Sequence, residues 1–252
     1  MLRLRQIAFV ARELDPVVDD LHAVLGIEVA FRDPGVARFG LHNAVMPAGQ
    51  QFIEVVAPVE EGTAAGRYLD RRHGDGGYMV ILQCDDHPSL KARMEPLGVR
   101  AALEHDGEEY QILQLHPRDT GGSFLEVDVQ HGGESMDGPW EPAGPNWQDA
   151  KTDLTRGIVA AEIQSEDPNA LGERWAAILD RPLEEADGVP TIQLDNATLR
   201  FVPAEDGRGE GLGGIDVAVE DVNTALAAAT GRGLARNAQV LLGGVRINLV
   251  SA

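Results

Sequence analysis

The chain has 252 residues, 43% hydrophobic and 25% charged, and its 41 acidic against 21 basic side chains leave a formal net charge of −20. That balance excludes a nucleic-acid partner, because phosphate recognition needs clustered Lys and Arg, and an anionic membrane surface would be repelled in the same way. A single cysteine, Cys84, excludes an intramolecular disulfide and a cysteine-rich zinc site, and with no run near the ~18 apolar residues of a membrane span the expectation is a cytoplasmic protein.

In chain order, residues 4–11 (LRQIAFVA) alternate as a strand does, and Asp15–Pro16 start a helix. In VVDDLHAVLG, residues Val17, Val18, Leu21, Val24 and Leu25 recur at helical spacing, and Gly26 closes the element. Three strand candidates follow, IEVAFR, ARFGLHNAVMP and QQFIEVVAP. The connection EEGTAAGRYLDRRHGDGGYM reads as a short helix and a tight turn. The pattern then repeats: strand YMVILQCDD, a helix opening near His87 and Pro88, and strands VRAALEHD, EEYQILQLHP and SFLEVDVQ.

The segment QHGGESMDGPWEPAGPNWQDAK interrupts this regularity with proline and glycine and holds Trp140 and Trp147. It reads as a linker over residues 132–151, pinned to a domain face by its tryptophans. Beyond it the signature returns twice in shorter form. RGIVAAEIQSEDP and a helix through NALGERWAAIL precede VPTIQLD and ATLRFVPA. GGIDVAVEDV and NTALAAATGRG precede ARNAQVLL and GVRINLVSA. The expected architecture is α+β, four tandem βαβββ units in two modules, residues 1–131 and 152–252. The acidic excess is spread over both modules, whereas every histidine lies at or before His131.

Four segments, LRQIAFVARELD, FIEVVAP, GGYMVILQCDD and HPRDTGGSFLEVD, in this order and spacing, make the chain resemble the vicinal oxygen chelate superfamily, the glyoxalase, bleomycin-resistance and extradiol dioxygenase group. The resemblance implies paired βαβββ units whose curved mixed sheets form cups, with the functional site inside a cup. In metal-dependent members one divalent cation sits on four side chains. Carried over by position, these are Gln6, Glu54, Met79 and Glu126, where the family normally has histidine in place of Met79. The matching positions of the second module, Ala160, Arg200, Gly214 and Asn248, offer no carboxylate or imidazole. That module reads as a structural partner, with Arg200 in a salt bridge. The lack of histidine after His131 argues against extradiol dioxygenase chemistry, whose two-histidine, one-carboxylate iron site lies in the second module of two-module members.

Strand parity puts Glu54 on the face of Phe52 and Val56, and Glu126 on the face of Phe124 and Asp128, each opposite an aliphatic row that packs on helices. Two carboxylates in one half-buried cup cannot both ionise cheaply, so one is protonated or answered by an arginine, for which Arg67 is the candidate. Arg67 and Tyr78 are placed at the cup rim, and His42 and His116 are the histidines available to complete a metal site. His22, His73, His87, His105 and His131 are expected on the surface.

These readings converge on a small-molecule-binding protein of the glyoxalase or bleomycin-resistance type with its ligand in the N-terminal cup and no cofactor. The alternative is a lyase or isomerase using one zinc, nickel, manganese or magnesium ion on Gln6, Glu54 and Glu126. Pairing into a homodimer is left open.

Overall fold

The computed structural model describes residues 1–236 and 239–252. Its first module contains β1 (Leu2–Val10), α1 (Leu14–Leu25), β2 (Leu41–Ala48), β3 (Gln51–Pro58), α2 (Ala64–Arg72), β4 (Gly76–Cys84), α3 (His87–Met94), β5 (Ala101–Asp106), β6 (Tyr110–Leu115) and β7 (Phe124–Gln130). These strands form a seven-stranded mixed sheet in the order β2-β3-β1-β4-β7-β6-β5. The second module holds β8 (Thr155–Ser165), α4 (Pro168–Leu179), β9 (Glu184–Ala186), β10 (Val189–Gln193) and β11 (Thr198–Pro203). It ends with β12 (Gly211–Val219), α5 (Val222–Gly231), β13 (Ala235–Arg236), β14 (Gln239–Leu242) and β15 (Val245–Ser251). Its eight-stranded sheet runs β13-β14-β15-β12-β8-β11-β10-β9. Asn237 and Ala238, within the expected strand ARNAQVLL, lie outside the described residues.

The expected α+β architecture of tandem units is present, with one correction. The first unit has two strands after its helix, not three. IEVAFR makes only an isolated bridge, Phe31 to Val45, and the start of ARFGLHNAVMP lies in a 3₁₀ turn spanning Pro34–Phe39. Asp33 caps that turn by accepting the Gly35 amide at 2.7 Å, and Pro34 at its first position supplies a fixed φ but no donor for a ladder. The chain therefore crosses over the cup here instead of adding an edge strand.

Helix α1 follows its sequence signals: its buried residues are Leu14, Val17, Val18, Leu21, Val24 and Leu25, and Gly26 ends it at φ 64°, a left-handed conformation that favours glycine. The apolar rows Ile53 with Val55 and Leu125 with Val127 lie in one core with this helix, as parity predicted. That core is shared between the modules, with α1 against α5 and α3 against α4. Polar ties add to it: the Leu2 and Leu4 amides donate to Asp195 and Asn196, each at 2.8 Å. Among the described residues no helix is long and apolar enough to cross a membrane.

The opposite face of the first sheet forms the cup. It carries Gln6 and Ala8 from β1, Phe52, Glu54 and Val56 from β3, and Met79 and Ile81 from β4. Glu126 and Asp128 from β7 pair across from Gln114 and Ile112 of β6. A pairing irregularity between Leu4 and Gln6 in β1 changes the alternation. Leu4 and Ile7 stay in the helix-side core, while Arg5 and Gln6 both serve the cup side, which two consecutive residues can do at a bulge.

Candidate functional site

A cavity of 740 Å³ opens on this concave face. Its depth holds Gln6, Glu54, Gln114 and Glu126, its walls include Tyr78, Met79, Ile81, Tyr110 and Phe124, and its cover is the Pro34–Phe39 turn together with Pro139–Pro145 of the linker.

Glu54 is 7% exposed and both of its oxygens are held by neutral amides. Gln6 Nε2 donates to Oε2 at 2.9 Å and Asn43 Nδ2 donates to Oε1 at 2.6 Å. Each amide is itself fixed. Trp140 Nε1 donates to Gln6 Oε1 at 2.8 Å, and Asn43 Oδ1 accepts the Asp33 amide at 2.8 Å. Burial pushes the Glu54 carboxyl up to about 7 against the pull of these donors, and the nearby Glu126 adds to the rise.

Glu126, also 7% exposed, accepts from Gln114 Nε2 at 2.8 Å. Asp128, two residues on and fully buried, accepts the Tyr110 hydroxyl. Burial, reinforced by Glu126, raises Asp128 well above the usual carboxylate range, and burial raises Glu126 as well. Asp128 Oδ1 has no hydrogen-bond partner. Burial and their closeness favour one proton shared between the two carboxyls, with the larger rise at Asp128.

The linker roofs the cup. Trp140 and Trp147 are buried, with Trp147 edge-on to Phe52 at 4.9 Å and Trp140 edge-on to Tyr110 at 5.5 Å. Arg5, wholly buried, places its guanidinium 5.1, 5.4 and 5.7 Å from the Phe52, Trp140 and Trp147 rings. It also donates to the Gln50 carbonyl and, at 2.7 Å, to the Met136 carbonyl. Arg3 binds the carbonyls of Gly133 and Glu134. Two arginines of β1 thus strap the linker to the strand that carries Gln6.

The second module treats the same positions differently. Arg200 meets Asp216 at 2.6 Å and Glu162 at 2.7 Å, and Arg246 meets Glu162 at 3.3 Å. The expected Arg200 salt bridge is present, and Asn248 joins the network by donating to Asp216 at 2.8 Å.

A family model described as a glyoxalase-like domain matches residues 7–179. The chain belongs to that family. The match runs from within the first strand of this glyoxalase-like protein through α4, so it takes in the N-terminal cup from Ile7 onward, Gln6 lying one residue before it, together with the linker roof. Similar solved structures include a hypothetical protein from Staphylococcus aureus, 12% identical, with all of both chains covered and a TM-score of 0.68. A mutant of 4-hydroxymandelate synthase from Streptomyces coelicolor is 14% identical over 93% of this chain and 76% of that one, with a TM-score of 0.68. Methylmalonyl-CoA epimerase from Mycobacterium tuberculosis is 23% identical over 51% of this chain and 87% of its own, with a TM-score of 0.45. The likenesses at a TM-score of 0.68 are of fold, and with the family match they agree with membership of the vicinal oxygen chelate superfamily. No curated protein matches the chain.

Within the glyoxalase-like cup, Gln6, Glu54, Met79, Tyr78, Phe124 and Glu126 all line the cavity, and Phe52 lies beneath its tryptophan roof. Three expected residues do not reach it. His42 pairs with Ala57, whose side chain is in the helix-side core, so His42 points away from the cup and is exposed. His116 sits in the turn after β6, its Nδ1 accepting the Arg118 amide. Arg67 is on the solvent side of α2 and donates to the Gly62 carbonyl. Among the described residues no arginine pairs with the two glutamates, and burial raises both carboxyls instead. His87, expected on the surface, is buried with Nε2 2.6 Å from the Val127 carbonyl oxygen.

The donor set does not fit the cation that the superfamily implies. Gln6 ligates through Oε1, which here accepts the Trp140 proton. Both Glu54 oxygens are taken by amides, and the Met79 thioether is a soft donor beside hard ones. Among the described residues no group of three His, Cys, Asp or Glu side chains is placed to hold an ion. Asn43, Tyr110, Gln114, Asp128 and Trp140 are site residues that sequence reasoning did not assign.

Proposed function

We propose that this glyoxalase-like protein binds a small molecule in the cup of its first module and does so without a divalent cation. The observation that carries this reading is the hydrogen-bonding state of the inherited polar positions. Gln6, Glu54 and Glu126 border a 740 Å³ cavity of ligand size, and their hydrogen-bond partners are neutral amides and an indole. A site prepared for a cation would turn the Gln6 oxygen toward Glu54, whereas here that oxygen faces the Trp140 indole and the amide nitrogen faces Glu54. The second cup, filled by its own arginine–carboxylate network, acts as the structural partner.

The same geometry favours a second use of the cup, proton transfer to or from the bound molecule. Glu54 is held near 7, where a carboxyl both accepts and returns a proton close to neutral pH. Across the cup, Glu126 shares a proton with Asp128 and can act as its counterpart. Such a reaction belongs to the isomerase and lyase class.

The deciding experiment combines metal analysis of protein purified without chelator with a screen of small molecules for thermal stabilisation. The expected result is substoichiometric metal and stabilisation by a ligand that is lost when the cavity is filled by Ile81→Trp. A stoichiometric metal that disappears in Glu126→Ala overturns the metal-free reading.

A further inference from the structure

The two cups of this chain solve one electrostatic problem in opposite ways. In the second, the acids Glu162 and Asp216 are neutralised inside the protein by Arg200 and Arg246, at 2.6 to 3.3 Å. In the first, Glu54, Glu126 and Asp128 are more deeply buried, their side-chain partners are the neutral Gln6, Asn43, Gln114 and Tyr110, and the place of Arg200 is taken by Glu54 itself. No cation of the protein lies at the floor of the cavity among the described residues. The basic groups that border it, Arg38 and His105, are exposed at the mouth, where Arg38 stacks on Phe39 at 4.6 Å and the acids Asp33 and Glu141 offset them. Arg5 lies behind the aromatic roof and is committed to main-chain carbonyls.

Much of the wall is aromatic. Tyr78, Tyr110, Phe124 and Trp140 surround the glutamates, with Phe31 and Phe39 nearer the entrance. Ring faces attract cations, more strongly where water is excluded, and buried carboxyls without a countercharge gain most from one that arrives with the ligand. A carboxylate or phosphate ligand would instead add negative charge beside three acids with no basic group to receive it.

Resting on the reading of the first cup as a small-molecule site, we propose that it selects an organic cation, a protonated amine or quaternary ammonium on an aromatic or branched apolar body. The cationic head lies between Glu54 and Glu126, and the apolar body lies against Tyr78, Phe124 and Ile81. This supplies from the ligand the charge that Arg200 supplies in the second module.

The test uses the full chain and three compounds of one shape: phenethylamine, phenethyl alcohol and phenylacetate. Each is titrated calorimetrically, and by tryptophan fluorescence that Trp140 makes sensitive to the cup, at about pH 8, where the amine is charged. The expected result is that the amine binds at least about tenfold more tightly than the alcohol, equivalent to about 1.4 kcal/mol, with no binding of phenylacetate. Glu54→Gln and Glu126→Gln should each reduce the preference of amine over alcohol several-fold; the ranking in the unmodified protein decides the matter even if a variant fails to fold. Equal or tighter binding of the alcohol or of phenylacetate overturns the cation assignment and leaves the cup as a small-molecule site. No binding of any of the three up to their solubility overturns both.

Discussion

Trp140 Nε1 donates to Gln6 Oε1 across 134 positions of sequence at 2.8 Å, and this bond decides which way the Gln6 amide faces. With the oxygen held by the indole, the Nε2 end is the one presented to Glu54. Replacing Trp140 with Phe removes the donor and frees the amide to turn its oxygen toward the carboxyl. Two effects are expected. Glu54 takes up its proton at higher pH, visible by carbon NMR of labelled glutamate, and the buried Gln6 acceptor without a partner costs about 1 to 3 kcal/mol in urea unfolding. An unchanged Glu54 titration would show that the amide orientation is set by something else.

Glu54 also makes stability depend on pH. Its carboxyl is raised from 4.5 unfolded to about 7 folded, chiefly by burial. Between those values the native state binds more protons than the unfolded state, so this group's contribution to stability falls as pH rises through that window and is flat outside it. The loss is of the order of 3 kcal/mol. Glu54→Gln, which keeps the size and removes the titration, should gain on the natural protein as pH rises from about 5 to about 8. The check is the difference in unfolding free energy between the two proteins across that range.

Period-two alternation was enough to place Glu54 and Glu126 on one face, because both strands run regularly through the sheet. It could not place Arg5 beside Gln6, since the bulge that turns both toward the cup leaves no mark in a hydrophobic pattern. Nor could it separate IEVAFR from a real strand: the alternation is there, but Asp33, Pro34 and Gly35 lead the chain into a 3₁₀ turn tethered by Asn43 and Val45. Gln114 and Asn43 depend on pairing register between strands, and Trp140 on a linker path. Asp128 had a signal, as it shares the face of Glu126 two residues away. His42 was misplaced because the face of its strand follows from its pairing with Ala57, which local pattern does not give.

In the second module, Arg200 bridges Asp216 and Glu162, which are only 12% and 14% exposed. Arg200→Met leaves Asp216 without a cation and Glu162 with Arg246 alone, and should cost about 2 to 4 kcal/mol. Converting the partners as well, in the triple variant with Glu162→Gln and Asp216→Asn, should recover most of that loss, because what destabilises is the unpaired charge more than the missing bridge. Denaturant unfolding of the single and triple variants distinguishes the two. A triple variant no more stable than the single one would locate the effect in lost packing of the arginine stem.

Asp128 gives the sharpest test of the shared proton. If Asp128 is the protonated partner, Asp128→Asn is nearly isosteric with the state already present: the amide oxygen accepts the Tyr110 hydroxyl and the amide nitrogen donates to Glu126. Stability near neutral pH should then change by less than about 1 kcal/mol, or rise, because a buried carboxyl that ionises at cost has been removed. Asp128→Leu keeps the volume and removes both bonds, leaving the buried Tyr110 hydroxyl without its acceptor, and should cost about 1 to 3 kcal/mol. Glu126 should respond too. With the Asn donor fixed beside it and no second acid to compete for the proton, it titrates as a single group at lower pH, whereas in the natural protein the two carboxyls titrate as a coupled pair. Carbon NMR of labelled Glu and Asp across the pH range reads this directly. A large loss of stability in Asp128→Asn would show that Asp128 is ionised in the folded protein and that the proton resides on Glu126.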